Sequence, residues 1–197
     1  MEIEVRDGIV GKAIGRTNRN VFLASILAII LVIGFIAVGF NYWSTLLGGP
    51  RTPTHDELTN KVKIDFLPTF VTVSGEAIDT GYEQYVIEDD GSRTTENYYI
   101  AILLDNDKIL LTETRSSEIF DSYTGALINV PSDIQREVIG DIVREYPDLD
   151  GYFLPVMMTL DDHRTPGYIA LFVMTVLFLV GLYGIFNVLG RKADITK

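Results

Sequence analysis

Two long uncharged runs punctuate the chain. Residues 21–40, VFLASILAIILVIGFIAVGF, are twenty without a charge, and residues 167–189, GYIALFVMTVLFLVGLYGIFNVL, are twenty-three. At about 1.5 Å rise per residue, each covers the roughly 30 Å hydrocarbon core of a bilayer. The pattern predicts transmembrane helices at 21–40 and 166–189, with tails at 1–20 and 190–197. A secretory signal is the competing reading of the first run. A signal core is about 7–15 residues and ends at a small-residue cleavage site. Here the core is longer, and GFNYWS after it has no A-x-A pattern, so an uncleaved anchor is expected.

The second boundary is set by charge. Asp161, Asp162 and Arg164 stand directly before the run. At the bilayer centre each would cost about 2.5–3.5 kcal/mol. The helix is therefore expected to begin after Arg164, with Thr165 as N-cap and Pro166 at the first helical position. Ala24-x-x-x-Ala28 and Gly181-x-x-Gly184 offer small residues for helix–helix contact.

Between the runs the pattern changes to short alternating stretches. LLGGPRTPTHDELTN, rich in Gly, Pro and Thr, closes a segment at 41–60 that reads as a stalk. TFVTVSGEAI, YEQYVI, YTGALINV and YFLPVMMTL read as strands. YYIAILLDNDKILLTET places two apolar runs around Asn106-Asp107 and predicts a hairpin. One helix is expected from Ser132 to Tyr146, with Ser132 and Gln135 as a capping box and Ile134, Val138, Ile142, Val143 and Tyr146 along one face. The expected fold is α+β: two transmembrane helices flanking a mostly antiparallel β domain at 61–165, outside the cytoplasm, with one amphipathic helix. A barrel-like closure is an option, since VTVSGEAI resembles the opening strand of oligonucleotide/oligosaccharide-binding barrels.

Charge sets the expected orientation. Lys12, Arg16 and Arg19 precede the first run and Arg191, Lys192 and Lys197 follow the second, whereas Arg51 and Arg164 alone flank the other side. Positive residues mark the cytoplasmic side, so both termini are expected there, most simply in a cell membrane. Tyr42, Trp43 and Tyr168 would then form an aromatic belt at the outer interface. Residues 41–165 hold nine Lys and Arg against twenty-three Asp and Glu, a balance of −14. That charge argues against nucleic acid and against lying flat on anionic lipid, and suits a solvated domain or a cationic partner.

Candidate chemistry is sparse. With no cysteine, thiol nucleophiles, disulfides and thiolate metal sites are excluded. Phosphate-cradling GxxxxGK[ST] and GxGxxG motifs and the GxSxG elbow do not occur. Only His55 and His163 supply imidazoles, in HDE and DDH contexts. If the helices pack side by side, His55, Asp161 and His163 could meet as a divalent-metal set. The competing reading makes them decoration of solvated loops. The acids at Asp105/Asp107, 88–90 and Asp148/Asp150 fall at turns and do not follow the calcium-loop spacing. The apolar runs carry no Asp, Glu, Lys, Arg or His, and, Tyr168 at the outer edge aside, their polar side chains are Ser25 in the first and Thr175, Tyr183 and Asn187 in the second, which argues against an ion pathway within this chain alone.

The layout of two helices around an outer β-rich domain resembles, in organisation, accessory subunits and assembly factors of membrane complexes. It implies a non-catalytic membrane protein without a cofactor, whose outer domain docks a membrane-protein partner or another copy of itself. A ligand- or metal-binding sensor is the alternative, and a tethered hydrolase using the histidine region a further one.

Overall fold

The computed structural model describes residues 2–60, 64, 67–88, 91–160 and 163–195. The chain divides into two units, Met1–Val38 with Thr165–Lys197, and Gly39–Arg164.

The first unit is a helical pair, α1 (Glu2–Val38) and α5 (Arg164–Ile195). Arg16–Val38 and Arg164–Gly190 are long and apolar enough to cross a membrane. Most of their side chains face outward. The exceptions form one seam: Ser25 and Val32 on α1, Met174 and Val188 on α5, each under a tenth exposed. A Cβ on Gly181 would stand 2.9 Å from Ile29 Cγ1 and 3.1 Å from Ser25 O, and one on Gly184 would collide with Ser25 Oγ. Glycine is thus required by close approach, and the order of contacts makes the pair antiparallel. Ser25 meets the glycines, whereas Ala24 is exposed. The small-residue expectation was right for α5 and displaced by one position on α1.

The second unit is α+β, built on a six-stranded mixed sheet. Its strands are β1 (Thr69–Ser74), β2 (Glu76–Ile87), β3 (Arg93–Leu103), β4 (Ile109–Thr114), β5 (Ser122–Asn129) and β6 (Phe153–Thr159). The order is β1-β5-β6-β4-β3-β2, antiparallel except for the central β4–β6 pair. Every residue of β4 is buried, as expected for a central strand covered on both faces. The β3–β4 hairpin turns at Asp107, whose φ of 59° an aspartate tolerates.

Strands β1 and β2 lie at opposite ends of this order, yet Gly75 alone separates them. Six flat strands would place those edges about 24 Å apart at roughly 4.8 Å per neighbour. Two Cα steps of about 3.8 Å cannot span that. The sheet therefore curls until its edges meet at Gly75, where a Cβ would come within 2.6 Å of Leu103 O. The concave side holds the main core, including Val71, Val73, Ile100, Ile102, Leu127 and Met158, with Leu58 packed into it.

Among the described residues, three α-helical segments and not one belong to this unit, besides a short 3-10 turn at Pro147–Leu149. α2 (Phe40–Gly48) buries Tyr42, Trp43, Thr45 and Leu46, and α3 (His55–Thr59) buries Leu58. Residues 41–60 are thus folded structure, not a stalk. Their Gly and Pro mark the break between two helices. The amphipathic helix, α4, spans residues 132–145 with a π-type turn at Gln135–Ile139. Gly140 N–H reaches back to Gln135 O, so one extra residue enters the turn. The inserted residue rotates the later face: Ile139 is buried beside Val138, while Tyr146 is exposed. Nor does Ser132 cap. Pro131 holds the N-cap position without a side-chain bond.

Candidate functional site

The capping box expected at Ser132 occurs instead at the start of α3. Thr54 Oγ1 accepts from Glu57 N–H (3.2 Å), and Glu57 Oε2 accepts from Thr54 N–H (3.1 Å). This pairing fixes His55 at the first helical position, with its ring turned into the body.

Both ring nitrogens of His55 bond to backbone. Nε2 donates to Ser74 O at 2.9 Å, and Nδ1 accepts the N–H of Asp105 at 2.8 Å. One neutral tautomer, protonated at Nε2, satisfies both contacts. The Asp105 carboxylate also lies 3.0 Å from Nδ1, but it can receive a proton only from a ring that has given up the amide. Asn106 Nδ2 adds bonds to His55 O and Thr59 Oγ1. His55 therefore ties α3 to the β1–β2 corner and to the β3–β4 turn. A ring so engaged has no lone pair left for a metal.

His163 is placed differently. Its carbonyl accepts from Tyr42 Oη at 2.6 Å, and its Nε2 is buried without a hydrogen-bond partner among the described residues. Asp161 lies outside the described residues. Among those described, no three His, Asp or Glu side chains gather as a metal set. Tyr42 and Trp43 are 5% exposed, stacked edge-on at 4.9 Å, with Tyr42 also against Phe70 at 5.8 Å. Packing on β1 accounts for these two aromatics. Tyr168, on α5, is half exposed.

A small cleft of about 180 Å³ opens beside α3, floored by Leu58, Val71 and Leu127 and rimmed by Arg51 and Glu57. Arg51 is held at the free edge of β1: its N–H donates to Phe70 O and its carbonyl accepts from Thr72 N–H. Thr45 Oγ1 accepts the Phe70 N–H. Segments before the sheet thus cover the β1 edge.

On the convex face lies a polar group not anticipated from sequence. Glu113 is 9% exposed. One carboxylate oxygen accepts from Asn97 Nδ2 at 2.6 Å and the other from Thr159 Oγ1. Gln84 Oε1 continues the chain of bonds, accepting from Tyr99 Oη at 3.1 Å. The alternation of β4 carried a signal, because Glu113 follows Leu111 on the same face. On α4, Asp141 and Glu145 reinforce the effect of burial on nearby Tyr82, and together they raise its pKa.

A second exposed feature of the unit is the far end of the β2–β3 pair. β4 reaches only to Tyr98, so residues 84–87 and 93–97 continue as a two-stranded arm. On it Tyr85, Val86 and Ile87 are 52%, 43% and 69% exposed. Arg93 lies over the Tyr85 ring at 6.0 Å.

Comparison with known proteins finds no matching family, no matching curated protein and no matching solved structure.

Proposed function

We propose that this chain is a two-pass membrane protein, both termini cytoplasmic, that presents a non-catalytic acidic domain on the outer side. There the domain would dock a protein partner, as an accessory or assembly subunit of a larger membrane complex. The observation that carries this reading is the cluster of Tyr85, Val86 and Ile87 left in water on a projecting arm. Contiguous apolar side chains on a thin ribbon gain free energy only when something covers them. The polar groups best suited to chemistry, His55 and Glu113, point the same way, because both are engaged in holding the fold.

Purification from native membranes in mild detergent tests the proposal. The chain is expected to migrate with a larger membrane protein, and a clean monomer that brings nothing with it contradicts docking. Labelling of an epitope placed in the 116–118 turn of intact cells tests the orientation; a signal only after permeabilisation contradicts it.

The cleft beside Arg51 supports a second reading, a small-ligand sensor. At about 180 Å³ it falls below the roughly 300 Å³ at which ligand pockets usually begin. The docking reading is therefore preferred.

A further inference from the structure

We infer that the outer edge of β2, over residues 83–87, is a strand-addition site for an extended, lysine- or arginine-rich segment of another protein; this rests on the docking reading above. The two ends of the sheet are treated differently by the fold. The β1 edge is covered, since Phe70 has its N–H bonded to Thr45 and its carbonyl to Arg51. Among the described residues no strand pairs the outer edge of β2 along the arm.

Backbone direction shows what that edge offers. Glu88 N–H is committed to Ser92 O across the arm. In an antiparallel ladder, successive residues turn their amides to opposite sides. Val86, paired with Thr94, therefore faces β3, while Ile87 and Tyr85 turn their N–H and C=O groups outward. An incoming strand would find these groups at the spacing β-augmentation requires, beside the exposed Tyr85 and Ile87 side chains.

Charge identifies the occupant. Residues 76–97 contain seven Asp and Glu and one basic residue, Arg93. A second copy of the chain would bring the same acids against one another, on domains already at −14. A basic strand would instead be drawn in and held in register.

The test uses the full chain in native membranes, with a benzophenone amino acid at Val86 and a control at Ile119, which is somewhat more open (55% exposed) but off the arm. Illumination at position 86 is expected to join the chain to a different protein, through a segment of net positive charge mapped by peptide sequencing. The yield should fall at least ten-fold in Tyr85→Pro, which removes one outward N–H. Ile87→Lys combined with Glu96→Lys should reduce it similarly while leaving amide exchange of the arm unchanged, which separates loss of docking from loss of folding. Attachment at 86 to a second copy, to lipid or to a neutral or acidic segment overturns the inference. So does capture of a partner from position 119 but not from 86, although docking itself would then stand. A chain that migrates alone and captures nothing from either position overturns the docking reading as well.

Discussion

His55 Nδ1 accepts the backbone N–H of Asp105 across 2.8 Å, joining residues fifty positions apart in sequence. The same ring holds Ser74 O through Nε2. His55→Ala leaves that donor and that acceptor without their partner. Because the side chain is a fifth exposed, water recovers part of the loss. Stability should fall by about 1–2 kcal/mol, within the range for replacing a hydrogen-bonded polar group. The chain's single Trp, Trp43, is buried in α2 and reports unfolding by fluorescence. Amide exchange at Asp105 should accelerate as well; unchanged exchange there would remove the bracket from the account.

This bracket shows where the sequence could be read and where it could not. The hairpin about Asn106-Asp107 and the apolar runs were legible because alternation and turn chemistry are local. The role of His55 was not, since nothing near it in sequence names Ser74 or Asp105. The stalk expectation failed for a related reason. Gly and Pro between residues 48 and 53 describe a break in the chain equally well whether the flanks float or pack, and only the tertiary contacts of Tyr42, Trp43 and Leu58 decide between them. In α4 an inserted residue, invisible to a 3.6-residue period, exchanged Tyr146 for Ile139 on the buried side.

Glu113 gives a prediction about a residue the sequence left unremarked. Glu113→Ala removes the carboxylate that the Asn97 amide and the Thr159 hydroxyl both bond, at a cost of about 1–3 kcal/mol. Glu113→Gln keeps a carbonyl oxygen for Asn97, and the Thr159 hydroxyl can rotate to meet either end of the amide. Denaturant titrations followed at Trp43 should therefore rank wild type and Gln close together, with Ala well below. Equal losses for Gln and Ala would mean that the negative charge itself matters, in a role beyond holding the strands.

Tyr82 supplies the pH dependence. Burial disfavours its phenolate first; Asp141 and Glu145 add to this, while Arg144 opposes them, and the net shift is upward from the ordinary value of 10.0. Its folded-state pKa thus lies above the unfolded one. The stability it contributes is complete below the unfolded value and is lost as pH rises through the folded value. In an absorbance titration at the phenolate band, Tyr82→Phe should remove a late-ionising component. Loss of an early component instead would contradict the packing of Tyr82 beneath α4.

The seam between α1 and α5 can be locked directly, because the chain has no cysteine to complicate the chemistry. A Cβ at Gly184 would stand 3.3 Å from Ser25 Cβ. That is just short of the roughly 3.5–4.5 Å that disulfides span, so a few tenths of an ångström of outward helix movement suffices. Ser25→Cys with Gly184→Cys should form an intrachain disulfide on mild oxidation in membranes, visible as a mobility shift reversed by reductant. Leu23→Cys with Gly184→Cys should not, since Leu23 is 56% exposed on another face of α1. Gly184→Leu, by contrast, drives a side chain into Ser25 and should cost about 1–3 kcal/mol of helix association, as overpacking does. If the Leu23 pair oxidises as readily as the Ser25 pair, the two helices do not share the face described here. An interchain product from the Ser25 pair would move the same seam from one molecule to the contact between two.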